Sequence, residues 1–426
     1  MLLSVDNFKS IEHVVNVDVS GLTVLAGVNS SGKSSLIQAL LLLKQTLNST
    51  SSEMLNLSGP YVYANSLFDL MHNKRSGEMR FVVNLTGEEI DGRVFTLPDK
   101  TENRLDSLEI SVSFRVRQDS YLLSEFKLKS EFENGKVENL LLRRWPKKNA
   151  YDLITDEYTL KSLVLDSYSF ANFFPVFVRD ENTIHDLTYV KQTREALIDY
   201  LNKVVYIAPL RVAPVLTRSF QTDVERRYVL PDGENTRFIL DMMSERKDDF
   251  NLVKQWICDR FELARDLNIV KESGKLYRVV VTTNEGVKVD LMHMGFGLSQ
   301  ILPIVTQGCI SQPDSLMIVE DPDVHMHPSI QAAMADFFIF LCLKHKVSLL
   351  VETHSDHFIT RIRRRIAEKE IQPDKIHLIF VMNDFGASEY KSIPLSDAGR
   401  LEGSMPPRFL DTRDTDFKAI IEANRR

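Results

Sequence analysis

The sequence predicts an α/β fold, a mixed sheet flanked by helices, and three short apolar segments carry that prediction. Residues 22–26 form an apolar, β-branched run, followed by a glycine-rich turn and a leucine-rich segment at 35–47. Apolar runs recur at 315–321 and 349–354. Continuous apolar runs of this length are typical of strands buried on both faces, and the longer leucine-rich run is typical of a buried helix.

The turn between the first buried strand and the first helix has the spacing G-x-x-x-x-G-K-S. Such a turn points several backbone N–H groups at one place, and the N-terminus of the helix adds a partial positive charge. In that geometry Lys33 reaches the β- and γ-phosphates of a nucleotide, and the Ser34 hydroxyl helps to hold Mg²⁺. The turn therefore predicts binding of ATP with Mg²⁺. The predicted phosphate-binding residues are Gly27, Asn29, Ser30, Ser31, Gly32, Lys33, Ser34 and Ser35.

Polar side chains end the two later apolar strands. Glu320 and Asp321 close the strand at 315–321, and His354 closes the strand at 349–354. A phosphate loop requires such acids, since one carboxylate orients the Mg²⁺ shell and the next polarises the attacking water. The carboxyl ends of parallel strands form the ligand edge of a sheet, so we predict that His354 contacts the γ-phosphate.

A glycine-containing turn at residues 294–300 precedes a helix that we predict at 301–309. A turn of this kind exposes backbone N–H groups to a phosphate, here one held by a second subunit. We call it the signature turn. Its candidate nucleotide-binding residues are Gly295, Gly297 and Ser299.

The region between the phosphate loop and the signature turn has a different pattern. Residues 80–85, 108–114 and 125–129 alternate between apolar and polar side chains, which predicts half-exposed antiparallel strands. Residues 186–202 and 250–267 have helical patterns. We therefore predict three parts. They are an N-terminal head segment at 1–75, a β-rich and then helical insertion at 76–203, and a C-terminal head segment at 204–426.

Composition narrows the class of protein. The chain has 426 residues, a net charge of −7 and 3 cysteines, which lie far apart without metal-site spacing. This favours a reduced, cytoplasmic setting. The N-terminus does not have the pattern of a signal peptide, and no apolar run has the length of a membrane span, so no membrane partner is expected. The negative charge argues against a generally basic surface for nucleic acids and leaves a local patch open.

Four motifs together resemble those of the ABC-type ATPase heads of the SMC, RecF and OLD-like group. They are residues 7–10, 295–303, 320–328 and 352–355, and they occur in the same order as in that group. The resemblance implies a P-loop, ABC-type ATPase head with an insertion between the phosphate loop and the signature turn. It also implies a homodimer, or a larger even-numbered oligomer, with ATP held between subunits.

The resemblance assigns roles to single residues. Glu320 stands at the Mg²⁺-orienting acid, Asp321 at the catalytic carboxylate and His354 at the switch histidine. His325 and His327 lie in the loop that crosses to the opposite subunit. The acids occur in the order Glu-Asp, where ABC heads have Asp-Glu, and the shorter Asp321 is expected to favour slow turnover.

Two further departures concern the dimer contacts. Gly295 stands where many relatives have serine, which leaves Ser299 as the nearest hydroxyl. We identify no equivalent of the glutamine switch loop.

The resemblance also bears on partners. OLD-type nucleases carry a metal-binding nuclease domain after the ATPase part, and the residues after His354 show no acidic cluster of that type. We therefore expect any nuclease, of the HNH type, to be a separate chain. A lone OLD-like ATPase of this size resembles the ATPase subunit of two-gene bacterial antiphage systems, with Septu as the nearest example.

Three functions stay open on the sequence. They are a defence ATPase that regulates a separate nuclease, a RecF-like repair ATPase that acts on DNA, and a stand-alone housekeeping NTPase. A basic run at residues 361–365 fits DNA contact, but on a helix its arginines spread over more than one face. That arrangement fits a solvated or partner-binding helix at least as well.

Overall fold

A computed structural model describes residues 1–50, 53–90, 92–97, 99–118, 120–146, 148–179, 183–212, 227–271, 277–403 and residue 423. The chain forms two compact units. The first contains Met1–Val19, Ser30–Lys203 and Val381–Tyr390, and the second contains Ser20–Asn29, Val204–Phe380 and Lys391–Arg426. The boundary at residues 29 and 30 lies inside the phosphate loop.

The regular elements are numbered in chain order. The strands are β1 (Leu2–Phe8), β2 (Ile11–Asp18), β3 (Leu22–Ala26), β4 (Gly77–Thr86), β5 (Val94–Thr96), β6 (Glu102–Arg117), β7 (Ser120–Phe132), β8 (Val137–Arg144), β9 (Tyr151–Thr155), β10 (Thr159–Leu163), β11 (Phe170–Ala171), β12 (Phe174–Pro175), β13 (Phe177–Arg179), β14 (Ile184–Asp186), β15 (Val204–Ile207), β16 (Asp266–Lys271), β17 (Tyr277–Thr282), β18 (Lys288–Asp290), β19 (Leu316–Glu320), β20 (Ser348–Thr353), β21 (Ile376–Asp384) and β22 (Ala387–Ser392). The α-helices are α1 (Lys33–Leu47), α2 (Thr188–Asn202), α3 (Thr236–Glu245), α4 (Lys247–Lys254), α5 (Phe296–Ile310), α6 (Pro328–Lys344) and α7 (Asp356–Ala367).

The first unit is built on an antiparallel sheet with the strand order β10-β9-β8-β7-β6-β4-β1-β2, and β5 pairs with β6. Strand β7 alternates between buried and more exposed residues as predicted, whereas residues 110–114 of β6 are all buried, because Ser111 and Ser113 are covered as well. In β7, Phe126 and Leu128 are buried, while Lys127 is half-buried and Lys129 is exposed. In this part of β7, one face therefore carries apolar side chains and the other carries charged ones.

The strands predicted at 80–85, 108–114 and 125–129 are confirmed as parts of β4, β6 and β7, and the helix at 186–202 is confirmed as α2. Residues 76–203 fall entirely in the first unit. There β4 pairs with β1, so the strands of the predicted insertion extend the sheet begun by the N-terminal strands. The three-part division at 76 and 204 stays a prediction.

The second unit is built on a parallel sheet. The strand order is β15-β19-β20-β3-β21, and all of these pairs are parallel. Every residue of β3 and of β19 is buried, because side chains on both faces of these strands pack into the protein. The predicted α/β fold with central buried strands is confirmed.

The antiparallel sheet β16-β17-β18 and the helices α3 to α7 also belong to the second unit. The helix predicted at 250–267 is only partly correct. It forms α4 and one π-helical turn, Gln255–Arg260, and strand β16 then begins at Asp266. Leu267 is buried in the same apolar core as Trp256, so apolar periodicity alone did not show where the helix ends. Among the described helices, none combines the length and apolar character needed to cross a bilayer.

Candidate functional site

The second half of the phosphate loop lies in the first unit and leads into α1. Ser30 has φ 61° and Gly32 has φ 101°, and α1 begins at Lys33. A Cβ atom on residue 32 would lie 1.9 Å from the Ser388 Oγ and 2.3 Å from the Ser10 Oγ. The positive φ and this close approach require glycine at position 32.

Neighbouring polar groups hold this half of the loop. The Ser388 hydroxyl donates to the carbonyl oxygen of Ser31 at 2.6 Å, and the Tyr390 hydroxyl donates to the carbonyl oxygen of Gly32 at 2.6 Å. These contacts hold the loop backbone through its carbonyl groups. The Oγ of Ser31 is buried and has no hydrogen-bond partner among the described residues. This buried hydroxyl within the loop is suited to donate a hydrogen bond to a phosphate oxygen.

The N-terminal motif at residues 7–10 contacts the same helix. The Ser10 Oγ lies 2.8 Å from the Ser35 Oγ, and the Lys9 ammonium donates to the Gln38 side chain of α1. The turn between β1 and β2 therefore supports the start of α1. Lys33 is 2% exposed, Ser34 is half-buried, and Asn29 and Ser30 are exposed.

In the second unit, three strands end at one edge of the parallel sheet. Glu320 of β19 is in register with Glu352 of β20, and Thr353 is in register with Ala26 of β3. The start of the phosphate loop, Gly27, therefore follows strand β3, which lies beside β20, the strand that precedes His354. Strand β20 lies in turn beside β19, which ends in the predicted acids. The sheet brings these predicted residues to the same edge.

Glu320 is 6% exposed. Its Oε1 accepts a hydrogen bond from the Tyr206 hydroxyl at 2.8 Å. Burial raises the pKa of Tyr206, so the phenol stays protonated and donates at neutral pH. Tyr206 lies in β15 and had no predicted role, since a tyrosine inside an apolar strand is usually a core residue.

Asp321 lies just beyond β19 in the left-handed region, with φ 46°. Its Oδ1 is 3.8 Å from the Nε2 of His354. A ligating atom from each of Asp321, Glu352 and His354 lies within 4.8 Å of the others. The predicted Asp321 and His354 are therefore adjacent. Glu352, which begins the motif at residues 352–355 and had no predicted role, is 5% exposed and is the third member of this group.

The donor set at this edge fits a magnesium–nucleotide complex. Carboxylate oxygens are the ligands that Mg²⁺ prefers, and Asp321 and Glu352 supply them beside the Glu320 carboxylate. The predicted magnesium ligands Ser34 and Glu320 belong to different units. They stay a prediction.

A second polar network fixes the backbone around this edge. The Thr353 hydroxyl donates to the Asp323 Oδ1 at 2.7 Å, and the Ser355 hydroxyl donates to the Gln331 Oε1 at 2.6 Å. Gln331 in turn donates to the carbonyl oxygen of Met326 at 3.1 Å. Burial raises the pKa of Asp323. These contacts tie the loop after β19 to the end of β20.

Helix α5 begins at Phe296, five residues earlier than the predicted start at 301. Most of the signature turn therefore forms the first turns of this helix. Its glycines do not break the first turn. Gly295 is exposed at the N-cap, Gly297 is half-buried and Ser299 is 5% exposed. Backbone N–H groups, more than the Ser299 hydroxyl, are therefore presented at the surface of this turn.

The two histidines assigned to a crossing loop lie between β19 and α6. His327 is the N-cap of α6, and its Nδ1 accepts from the backbone N–H of Ser329 at 3.3 Å. His325 has φ 60°. A Cβ on Gly297 would lie 3.9 Å from the carbonyl oxygen of His325, so this loop adjoins the signature turn of the same chain.

The arginines of α7 bind acceptors of their own chain. Arg361 and Arg365 both pair with Asp336, and Arg365 also pairs with Glu368 and Glu370. Two more contacts complete the set, from Arg364 to Glu368 and from the Arg363 Nε to the carbonyl oxygen of Gly399. The basic run is largely neutralised within the chain.

A family model described as "AAA domain, putative AbiEii toxin, Type IV TA system" matches residues 22–360. That span runs from β3 into α7 and includes the phosphate loop, the acidic strand and His354. The chain belongs to this AAA family. It is an ATPase, which confirms the predicted P-loop ATPase fold, and ATP is the expected nucleotide.

Three solved structures that are similar to this AAA protein are SMC heads. One is an Smc head bound to the C-winged helix domain of ScpA, with 13% identity, a TM-score of 0.48, and coverage of 92% of this chain and 98% of that chain. An SMC head domain from Thermotoga maritima has 10% identity, a TM-score of 0.39 and coverage of 92% and 98%.

An Smc head with an extended coiled coil, bound to the C-terminal domain of ScpA derived from Pyrococcus furiosus, has 10% identity, a TM-score of 0.44 and coverage of 99% and 98%. No curated protein matches the chain. The family assignment rests on the family model.

Proposed function

We propose that this AAA ATPase hydrolyses ATP at the carboxyl edge of its parallel sheet and uses the nucleotide state to regulate a separate nuclease. The observation that carries the catalytic part is the register of β3, β19 and β20. It places the start of the phosphate loop, the Glu320–Asp321 pair and His354 at the ends of neighbouring strands.

Each residue has a distinct role in the proposed reaction. Lys33 and the loop N–H groups bind the phosphates. Ser34 and Glu320 would hold Mg²⁺, which would supply positive charge to the phosphate oxygens. Asp321 orients and polarises the attacking water. His354, whose Nε2 is 3.8 Å from the Asp321 Oδ1, contacts the γ-phosphate and fixes the carboxylate.

The proposed active form is a homodimer with two ATP molecules between its subunits. The exposed signature turn of one chain then meets the phosphate bound by the other, as a helix N-terminus can. Asp321→Asn should slow hydrolysis and accumulate the closed dimer. Light scattering with ATP is the measurement, and a monomer for both wild type and variant would rule out the dimer.

The proposed partner is a separately encoded nuclease of the HNH type, in a cytoplasmic, two-component antiphage system such as Septu. The described chain offers chemistry for a phosphate and a divalent cation. In its first unit, exposed charged side chains such as Glu109, Lys129 and Arg143 lie on one face of the sheet, which offers a surface for a partner. The description of the family names a toxin–antitoxin system, which is also a two-component arrangement.

The partner proposal is tested with the product of the neighbouring gene. We expect the purified chain alone to leave plasmid DNA intact, and the pair to cleave it in a manner that depends on ATP. A nucleotide-regulated partner must shift ATP affinity in return, typically by about 1–3 kcal/mol. Metal-dependent cleavage by the chain alone, lost in Asp321→Ala, would indicate a self-contained nuclease. If cleavage by the pair did not depend on ATP, the chain would be assigned as a housekeeping NTPase.

A RecF-like ATPase that acts directly on DNA is less well supported. Its clearest basic run, on α7, is engaged with Asp336, Glu368 and Glu370. We expect Arg364→Ala to leave DNA affinity within about twofold of wild type, because this side chain is already paired with an acid. Gel-shift titration at fixed salt measures it, and a tenfold loss would favour direct DNA binding.

A further inference from the structure

A buried arginine in the second unit contacts the backbone of the two proposed catalytic acids. Arg211 is 4% exposed. Its Nη2 donates to the carbonyl oxygen of Asp321 at 2.7 Å, and lies 3.3 Å from the carbonyl oxygen of Glu320. The guanidinium therefore binds the peptide groups that carry both acids, and their carboxylates stay available for chemistry.

The backbone of Asp321 needs such support. At φ 46° it lies in the left-handed region, which is unfavourable for a residue with a Cβ. Its N–H donates to the carbonyl oxygen of Glu352 at 2.9 Å, and its carbonyl oxygen accepts from Arg211. Both backbone polar groups of Asp321 are thus hydrogen-bonded, which restrains the direction in which its side chain leaves the backbone.

Arg211 is also connected to the signature helix. The side-chain amide of Gln300 donates to the carbonyl oxygen of Arg211 at 2.8 Å, and Gln300 is 2% exposed. Gln300 is the last residue of the signature turn and lies in the first two turns of α5. A continuous path of contacts therefore runs from α5 through Arg211 to Asp321 and His354.

The guanidinium is poorly satisfied for a buried group. Its Nε and Nη1 are buried and have no hydrogen-bond partner among the described residues. Burial lowers the pKa of Arg211 to about 10, which keeps it protonated at neutral pH. Buried N–H groups without acceptors disfavour the folded state.

We propose that Arg211 is a positioning residue that fixes Asp321 for hydrolysis and couples it to the first turns of α5. The inference rests on the proposed ATPase function, and it deepens that function by naming how the signature helix controls it. When the signature turn engages a nucleotide, movement of α5 reaches Asp321 through Gln300 and Arg211. ATP binding itself uses the phosphate loop and does not depend on this path.

The test compares Arg211→Met and Arg211→Lys with wild type in steady-state ATPase assays with Mg²⁺. We expect kcat to fall at least about tenfold in Arg211→Met, since small misplacements of a catalytic group have effects of this size. The KM for ATP should stay within about twofold, because the phosphate loop is unchanged. Arg211→Lys keeps the charge and one donor, and should recover part of kcat.

The matched control is Arg363→Met. Arg363 also donates to a backbone carbonyl oxygen, that of Gly399, in the same unit. It does not belong to the proposed machinery, so kcat should stay within about twofold of wild type. An equal loss of kcat in Arg363→Met and Arg211→Met would show a general structural effect and overturn the inference.

A double-mutant cycle tests the coupling. Gln300→Met removes the donor to Arg211 at nearly constant volume and should lower kcat. Once Arg211→Met is present, it should have little further effect, because contacts on one path are not additive. Full additivity, or ATP affinity that falls in step with kcat, would overturn the inference.

Asp321→Asn, measured in parallel, distinguishes failure of the proposed role of Arg211 from failure of the proposed ATPase function. If it abolishes turnover while Arg211→Met keeps wild-type kcat, the inference alone is wrong. If Asp321→Asn keeps wild-type turnover, the proposed catalytic function is wrong as well.

Discussion

The two sheets of the molecule bury their strands in different ways. In the parallel sheet of the second unit, every residue of β19 is buried. In the antiparallel sheet of the first unit, β7 alternates, with Leu128 buried and Lys129 exposed. A strand buried on both faces has no side chain free for a ligand along its length. Its chemistry is therefore confined to the residues at its carboxyl end, such as Glu320 and Asp321.

The antiparallel sheet has the opposite arrangement. One of its faces carries exposed charged side chains on three adjacent strands, Glu109 in β6, Lys129 in β7 and Arg143 in β8. Such a face suits contact with a partner, whereas the edge of a parallel sheet suits catalysis. We therefore infer that the antiparallel sheet contacts a partner and that the edge of the parallel sheet carries the catalytic residues.

The largest expected effect concerns stability. Met317→Ala and Ile318→Ala change neighbouring residues of β19, both 0% exposed, and each should lower the free energy of unfolding by about 2–5 kcal/mol. In β7, Leu128→Ala should cost a similar amount, but its neighbour Lys129→Ala should stay within about 0.5 kcal/mol of wild type. Urea unfolding measures all four. A neutral Met317→Ala or Ile318→Ala would show that β19 is not buried on both faces.

The next effect concerns a buried lysine in α1. Lys44 is 6% exposed and donates to the carbonyl oxygen of Leu201 at 2.5 Å. Burial lowers the pKa of Lys44 from 10.5 to about 8. The unfolded chain therefore binds more protons between these two values, and stability attributable to Lys44 rises with pH across that window.

We expect this rise to reach on the order of 3 kcal/mol, because each pKa unit corresponds to about 1.4 kcal/mol. Below pH 8 both states are protonated, and the cost of burying the charge is fully present. Urea unfolding from pH 7 to 10 should show the rise in wild type and not in Lys44→Met. The same pH dependence in both proteins would mean that Lys44 is not buried as described.

A third prediction concerns ATP binding by the phosphate loop. Lys33→Ala should weaken ATP binding at least about a hundredfold, or about 2.7 kcal/mol, because it removes the cation at the phosphates. Lys129→Ala, on the charged face of β7, is the control and should bind ATP as wild type does. Isothermal titration with ATP and Mg²⁺ compares them. Unchanged affinity in Lys33→Ala would show that the nucleotide binds elsewhere.

The sequence predicted the parts of the site that depend on the order of residues along the chain. The phosphate loop, the acidic pair and His354 each follow a buried strand, and strand ends can be recognised from apolar runs. The family match supports the same ATPase fold. Alternation of apolar and polar side chains similarly located β4, β6 and β7, although residues 110–114 of β6 are buried on both faces.

Residues that act through tertiary contacts could not be predicted in this way. Tyr206 looks like a core residue of β15, and its bond to Glu320 depends on the pairing of β15 with β19. Arg211 follows a proline turn, and nothing in its local sequence shows that it binds the Asp321 carbonyl. Glu352 lies in a recognised motif, but only the sheet register places it beside Asp321 and His354.

The central claim is that Asp321, at the carboxyl edge of the parallel sheet, performs the chemistry. Single-turnover hydrolysis of ATP with excess protein tests it most directly, because product release does not enter the measurement. Asp321→Asn keeps the size of the side chain and removes its charge. We predict a loss of at least about a hundredfold in the hydrolysis rate, a typical effect for a catalytic acid or base, with ATP affinity unchanged. A rate within twofold of wild type would contradict this account.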